Sequence, residues 1–312
     1  MEKIAMSNKY TATPSEKKVS IQTLHSKKSR GEPIAFLTAY DFPTAVALDR
    51  AGIDGILVGD SLGMVVLGYE NTLPVTMQDI LHHCRAVSRG ASRAHLVGDM
   101  PFMSYQASTA DALRNAGSLL QKGGMDAVKL EGGRDRAQVI KAIIAAGIPV
   151  MGHLGLTPQS VHQLSGWKVQ AKSSDTAQAL IEDAIILEDS GCYALVVESI
   201  PVEVAELISK QLSIPVIGIG AGMKCDGQIL VTHDMLGLFD RFTPRFVKKY
   251  ADLFSEMERA FGEYIADVKK GCFPAAEHTN TMDPQEFRSL LREFHMLTDF
   301  TDQDEDPPAR YH

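Results

Sequence analysis

Four short apolar runs in this chain each end in an acidic residue. A carboxylate that closes a buried strand is costly unless something positive lies beside it. Strand ends meet around such a group at the rim of a parallel barrel. Oxygen ligands of this kind suit Mg²⁺, whereas zinc would favour Cys or His. The pattern therefore predicts a metal site. The four acids are Asp60, Asp99, Glu131 and Glu198.

Helix capping is the alternative role for these acids. Each carboxylate could cap the helix that follows its own strand. For Asp60, Asp99 and Glu131 together the metal interpretation is favoured, because three independent caps need not come with a lysine on the same rim. Glu198 could cap a helix that starts near Val202, or it could act as a general base.

Lys129 lies two residues before Glu131. The two side chains share strand parity, so both should point into the barrel, with Lys129 one layer deeper. This lysine is then either a structural ion pair or a hook for an anionic substrate. His153 closes the fifth apolar run, as a member of the site or as a satisfied core histidine. The glycine-rich run 218–222 favours a tight turn over a phosphate site.

The apolar runs alternate with amphipathic stretches at the spacing of repeated βα units. Eight such runs indicate an α/β fold of the (β/α)8 TIM-barrel type. An open doubly wound sheet would show a glycine-rich nucleotide turn after its first strand, and the sequence has none there. The predicted strands are Ile34–Thr38, Gly55–Gly59, Ala94–Gly98, Ala127–Leu130, Pro149–Gly152, Ala194–Val197, Val216–Ile219 and Gln228–Thr232.

Further elements are expected outside the barrel. Ser20–Arg30 predicts a helix that caps the bottom of the barrel. Thr243–Lys270 predicts one long helix or two, opened by a Thr-Pro cap, and a short amphipathic helix should begin after Asp283. The expected organisation is a disordered arm at 1–18, a catalytic barrel with a packed C-terminal helix at 19–272, and a C-terminal extension with an acidic tail at 273–312.

Length and composition limit the classes of protein to which this chain can belong. At 312 residues and 45% apolar residues the chain suits one barrel. A formal charge of −8, with no long basic run, argues against a nucleic-acid partner. No apolar run approaches the roughly 18 residues of a membrane span, and no secretory signal is evident. Four cysteines without C-x-x-C spacing indicate a reducing compartment, so we expect a cytoplasmic protein.

Eight ordered blocks between Gly31 and His278 carry a specific resemblance. They are Leu37-Thr-Ala-Tyr-Asp41, Val58-Gly-Asp-Ser-Leu-Gly63, Thr72-Leu-Pro-Val-Thr76, Gly98-Asp-Met-Pro-Phe102, Val128-Lys-Leu-Glu-Gly-Gly133, Gly152-His-Leu-Gly-Leu-Thr-Pro-Gln-Ser160, Pro215-Val-Ile-Gly-Ile-Gly-Ala-Gly222 and Asp226-Gly-Gln-Ile-Leu-Val231. Together they resemble the ketopantoate hydroxymethyltransferase family. Enzymes of this family use 5,10-methylenetetrahydrofolate in pantothenate synthesis.

The resemblance implies a (β/α)8 barrel that uses Mg²⁺ and converts 3-methyl-2-oxobutanoate into 2-dehydropantoate. It makes Asp60 and Asp99 the metal ligands, with Glu131 in the outer sphere of the ion. Ser61 and Lys129 would contact the 2-oxo acid beside these two aspartates, and Glu198 would accept the proton. It also implies a homo-oligomer, often a decamer of two pentameric rings. The N-terminal arm and the C-terminal extension lie outside the shared pattern.

Two other functions are compatible with parts of this sequence. Lyases of the phosphoenolpyruvate mutase and isocitrate lyase type also use a barrel, Mg²⁺ and 2-oxo acid enolates. They carry a reactive cysteine on a mobile loop, and no cysteine here follows an acidic strand end. A barrel that has lost catalysis and serves as a scaffold is the other. The retained acids and Lys129 argue against it, because a dead site is free to lose costly groups.

Overall fold

Eight parallel strands close a barrel in the computed structural model, which describes residues 17–294. Each strand pairs with the next along the chain, and the last pairs with the first. The predicted fold is therefore confirmed. The strands are β1 Ile34–Thr38, β2 Gly55–Val58, β3 His95–Asp99, β4 Ala127–Glu131, β5 Val150–Gly155, β6 Ala194–Glu198, β7 Val216–Ile219 and β8 Gly227–Leu230.

Helices between the strands cover the outside of the barrel. Their apolar faces pack on the outer strand side chains, and a second apolar cluster fills the barrel interior below the carboxyl ends of the strands. This is the layered packing of the (β/α)8 fold. The helices that lie between strands are α2 Phe42–Arg50, α3 Leu62–Val65, α4 Met77–Gly90, α5 Thr109–Gln121, α6 Ala137–Ala145, α7 Ser174–Asp189 and α8 Val202–Gln211. Outside the strand sequence, the described residues form α1 Ile21–Arg30 before β1, and α9 Thr232–Met235, α10 Leu253–Lys270 and α11 Pro284–Glu293 after β8.

Helix α1 closes the amino-terminal end of the barrel, as predicted. Leu24 is fully buried in the interior cluster. Lys27 pairs with Asp54 at 2.6 Å, just before β2, and Lys28 pairs with Asp226 at 2.7 Å, just before β8. The His25 ring lies 2.8 Å from a main-chain oxygen before β6. Contacts to three separate strand starts hold the helix across the opening.

The predicted helix at Thr243–Lys270 is wrong in its first ten residues. Helix α10 begins only at Leu253, and residues 243–252 form turns and irregular backbone. Phe246 and Tyr250 have helical spacing in the sequence, but Phe246 lines a cavity and the Tyr250 N–H donates to the Met235 carbonyl oxygen. Phe246 and Tyr250 thus recur at helical spacing although the segment that carries them is not a helix.

A second compact unit begins at Asp252, after a first unit that runs to Ala251. It contains α10 and α11. Helix α11 starts as predicted, because the Asp283 carboxylate accepts hydrogen bonds from the backbone N–H groups of Gln285 and Glu286. The predicted N-terminal arm, up to residue 16, and the acidic tail lie outside the described residues. Between residues 17 and 294 no helix has the length and apolar character needed to cross a membrane.

Leu24→Ala should lower the free energy of unfolding by about 2–5 kcal/mol, because it leaves a cavity in the barrel interior. Leu207→Ala is the matched control: Leu207 lies on α8 and is 55% exposed, so the change should be less than about 1 kcal/mol. Urea unfolding followed by circular dichroism measures both. Equal losses would contradict the assignment of α1 as the barrel's closing element.

Candidate active site

The barrel brings the predicted acidic residues to one cavity. Asp99, Glu131 and Glu198 end β3, β4 and β6, and Asp60 follows β2 by two residues. All four line a cavity of about 410 Å³ at the carboxyl ends of the strands. Three further residues singled out in the sequence share that lining, and these are Ser61, Lys129 and His153.

The capping alternative for these acids is wrong. The helices that follow the four strands begin at other residues, so each carboxylate is left to face the cavity. Their N-cap positions are Ser61, Ser108, Gly133 and Pro201.

Lys129 forms a buried ion pair with Asp99. Its Nζ lies 2.8 Å from both carboxylate oxygens of Asp99 and 3.8 Å from Glu131 Oε1. Burial favours the neutral amine, but the surrounding carboxylates outweigh it and hold the pKa of Lys129 above its usual value. The lysine therefore stays charged, and parity places it beneath Glu131 as the sequence predicted.

Gln159 and Tyr105 are site residues to which the sequence assigned no role. Gln159 donates through Nε2 to Asp60 Oδ2 at 2.9 Å and through its backbone N–H to Glu131 Oε2 at 3.0 Å. The Tyr105 hydroxyl donates to Gln159 Oε1 at 2.7 Å, which fixes the amide orientation. A polar residue directly after Pro158, beyond the end of β5, was the available signal for Gln159.

Ser61 is held by a tyrosine from the neighbouring strand end. The hydroxyl groups of Ser61 and Tyr40 lie 2.8 Å apart, and Tyr40 is buried. Burial raises the pKa of Tyr40, so this phenol keeps its proton. Ser61 thus presents a hydroxyl of fixed position to the cavity.

His153 lies between two carboxylates. Its Nδ1 is 3.4 Å from Glu131 Oε1 and its Nε2 is 3.3 Å from Glu198 Oε2. Burial and Lys129 disfavour the charged ring, but Glu131 and Glu198 prevail and raise the pKa of His153 to about 9. The ring is therefore an imidazolium at neutral pH, and it links the end of β4 to the end of β6.

Negative charge is in excess at this site. In the strand-end cluster the four carboxylates of Asp60, Asp99, Glu131 and Glu198 face two cationic side chains, Lys129 and His153, which leaves two uncompensated charges within this cluster when all four are ionised. The electrostatic cost is evident at Asp60, where burial, and then the charges of Asp99 and Glu131, raise the pKa well above its usual range. Glu131 Oε1 and both ring nitrogens of His153 are buried without a hydrogen-bond partner among the described residues, so these groups meet only through ion-pair contacts of 3.3–3.8 Å.

These observations fit a divalent cation beside Asp60 and Asp99. Two added positive charges would balance the excess and let Asp60 ionise. In residues 17–294 no three His, Cys, Asp or Glu side chains are arranged as a complete metal-ligand set. Mg²⁺ does not need one, because it commonly binds one or two carboxylates and takes its remaining ligands from water and substrate.

The cavity changes character towards solvent. Beyond the buried acids its lining becomes aromatic, with Trp167, Phe239, Phe242 and Phe246. Trp167 and Phe242 are 48% and 64% exposed, whereas Asp60 and Asp99 are buried. A small polar substrate fits the inner part, and the outer part can accept a larger aromatic molecule.

The family model for ketopantoate hydroxymethyltransferase matches residues 18–276. This chain belongs to that family. It is accordingly a transferase. Relatives named 3-methyl-2-oxobutanoate hydroxymethyltransferase include one from Thermoanaerobacter sp. (strain X514), 57% identical over 87% of this chain and 99% of its own length. Another from Syntrophus aciditrophicus (strain SB) is 55% identical over 84% and 97%.

Solved structures with the same fold share little sequence with this family member. A phosphonopyruvate hydrolase in complex with oxalate and Mg²⁺ aligns with a TM-score of 0.55 at 12% identity, over 90% of this chain and 98% of its own. A 2,3-dimethylmalate lyase of the PEP mutase/isocitrate lyase superfamily aligns at 0.54 with 15% identity, over 89% and 97%. These likenesses establish the fold alone.

Stability of the cation-free protein should depend on His153 between pH 6.5 and 9. A pKa raised from 6.5 to about 9 on folding contributes stability that is complete below pH 6.5 and is lost as the pH rises through 9. His153→Gln should flatten that dependence, since the amide takes up no proton. Urea unfolding in EDTA at several pH values measures it, with exposed His82→Gln as the control. A variant with the wild-type slope would contradict the assigned charge of His153.

Proposed function

We propose that this enzyme transfers a hydroxymethyl group from 5,10-methylenetetrahydrofolate to 3-methyl-2-oxobutanoate, forming 2-dehydropantoate for pantothenate synthesis. Family membership supports the reaction class, and the relatives' names supply the oxo acid. The carrying observation is the cluster of four cavity-lining carboxylates around Lys129 and His153. The oxo acid is itself an anion, so this acidic cluster can bind it and remove its C3 proton only when a cation is also present.

Glu198 is the proposed base. Its side chain is 15% exposed and lines the cavity, and it is held by the imidazolium of His153. It would take the C3 proton of the oxo acid, which leaves the electron pair delocalised onto the keto oxygen as an enolate. A well-placed general base contributes on the order of 10² to 10⁴ in rate.

Asp60 and Asp99 are the residues that would hold Mg²⁺, with Glu131 behind them. When bound, the cation supplies Lewis-acid polarisation of the keto group and so acidifies the C3 proton. Lys129 and the Ser61 hydroxyl would contact the oxo acid and stabilise negative charge on its oxygens. Gln159 keeps Asp60 and Glu131 in place through its two hydrogen bonds.

The enolate carbon would then attack the methylene carbon of the folate. A carbon–carbon bond forms at C3, both bonds from the methylene carbon to the two folate nitrogens break, and water supplies the hydroxyl group. The two nitrogens take up the proton removed from C3 and the proton released by water, so tetrahydrofolate leaves. The aromatic outer lining is the part of the cavity that would receive the folate. The reaction needs no oxidant or reductant.

We also propose that the enzyme acts in the cytoplasm as a homo-oligomer, with a decamer as the form that the family resemblance implies. Four free thiols in the described region suit a reducing compartment. The lyase alternative is weaker, because its structural neighbours share only the fold, at 12–15% identity.

Glu198→Gln should reduce turnover by at least about 100-fold and leave oxo acid binding nearly unchanged, because the amide keeps the size of the side chain but takes no proton. Nuclear magnetic resonance measures product formation and the solvent exchange of the C3 proton of 3-methyl-2-oxobutanoate. The wild-type protein should exchange that proton only with Mg²⁺ and stop in EDTA. Near-full turnover by the variant would rule out Glu198 as the base.

Asp60→Ala or Asp99→Ala should abolish the calorimetric signal of Mg²⁺ binding in the presence of the oxo acid, because each removes a carboxylate from the proposed ion site. Asp267→Ala changes an exposed acid on α10 and serves as the control. The metal assignment fails if either site variant binds Mg²⁺ with wild-type affinity.

A further inference from the structure

Asp234 is an acid of the cavity that the reaction scheme leaves unused. It lies on α9 after β8, is only 8% exposed, and lines the cavity. Within residues 17–294 its carboxylate makes neither a hydrogen bond nor an ion pair. Because Asp234 lines the cavity, its carboxylate oxygens are open to whatever occupies that space. The position can therefore bind a ligand that donates hydrogen bonds.

The backbone holds Asp234 at a fixed place. Thr232, at the start of α9, donates its N–H to the Thr38 hydroxyl at 3.0 Å and its own hydroxyl to the Thr38 carbonyl oxygen. These bonds join α9 to the end of β1. Burial raises the pKa of Asp234 to about 6, while Lys249 works in the other direction. The group is therefore mainly a carboxylate at pH 7.5 and can accept two hydrogen bonds.

Aromatic side chains line the same cavity as Asp234. Phe239 follows Asp234 by five residues, and Phe246 packs against Gly220. A Cβ at Gly220 would lie 2.6 Å from the Phe246 ring, so the absence of a side chain lets that ring approach the wall. Trp167 lines the cavity from the loop after β5. Walls of this kind favour a flat ring between them.

Two cations stand beside the aromatic residues. Lys168 and Arg245 line the cavity, are exposed, and form no ion pair with any residue of the described chain. Cations at the rim of an aromatic pocket suit a ligand that ends in carboxylates. A single ligand that contacts Asp234, the aromatic side chains and the two cations would have a flat ring with paired N–H donors at one end and carboxylates at the other.

We propose that Asp234 binds the 2-amino-4-oxopyrimidine ring of tetrahydrofolate, accepting one hydrogen bond from its ring N–H and one from its 2-amino group. Two parallel N–H groups match the two oxygens of a carboxylate in the same way as an arginine does. The aromatic side chains stack on the ring system, and Lys168 and Arg245 meet the glutamate carboxylates. This inference rests on the proposed function, whose one-carbon carrier it locates.

Titration with tetrahydrofolate tests the assignment, and Trp167, the only tryptophan in the chain, reports binding through its fluorescence. Asp234→Asn should raise the Kd about 10-fold to 100-fold, because the amide offers one acceptor and a misplaced donor. Asp240→Asn, a change at a nearby exposed acid, should leave the Kd within about two-fold. C3-proton exchange of the oxo acid, which involves no folate, should stay within about two-fold in both variants.

A folate analogue with a methyl group in place of the 2-amino group gives a second, independent test. The wild-type protein should bind it at least about 10-fold more weakly than tetrahydrofolate, whereas Asp234→Asn should discriminate much less between the two. The wild-type comparison needs no variant and so stands even if the variant folds poorly. Equal affinity of the wild-type protein for both ligands, or an unchanged Kd in Asp234→Asn, overturns the inference.

The failures of the two proposals are distinguishable. If the wild-type protein exchanges the C3 proton and forms product but Asp234→Asn binds tetrahydrofolate normally, only the Asp234 assignment is wrong. If the wild-type protein neither exchanges that proton nor forms product with Mg²⁺, the proposed function itself is wrong.

Discussion

Buried negative charge is the constraint around which this structure is arranged. Asp60, Asp99 and Glu131 are buried within one strand-end cluster, where burial penalises each ionised carboxyl group and their mutual repulsion adds to the penalty. Lys129 and His153 relieve part of it. The remainder can be relieved by a cation, and an arrangement that is poor for stability is thereby well prepared for binding one.

The barrel makes this charge tolerable because it fixes the side chains before any ligand arrives. Asp99 lies opposite Lys129 in the β3–β4 register, and Glu131 lies opposite His153 in the β4–β5 register. Asp99 and Glu131 thus each have a cation on the adjacent strand. Gln159 adds a rigid link across the barrel mouth, and its own orientation depends on Tyr105. Preorganisation of this kind leaves little reorganisation for the reaction itself.

Local pattern was enough to predict most of the fold and the charged half of the site. Short buried runs ending in acids identified the strand ends, and period-two parity placed Lys129 below Glu131. Gln159 and Tyr105 could not be assigned in that way, because they meet only through contacts between segments 54 residues apart. Phe246 was misread for a different reason: an irregular segment that lends aromatic residues to a cavity can repeat at helical spacing by chance.

Closure of the barrel by α1 determines the end at which substrates enter and products leave. Because Lys27, Lys28 and Leu24 seal the amino-terminal end, the opposite mouth is left as the route between the charged cluster and bulk water. On the proposed assignment, the oxo acid lies deeper than the folate carrier. The smaller molecule must then enter first, and its product must wait until the larger one has left. A one-ended barrel thus dictates a compulsory sequence of arrivals and departures.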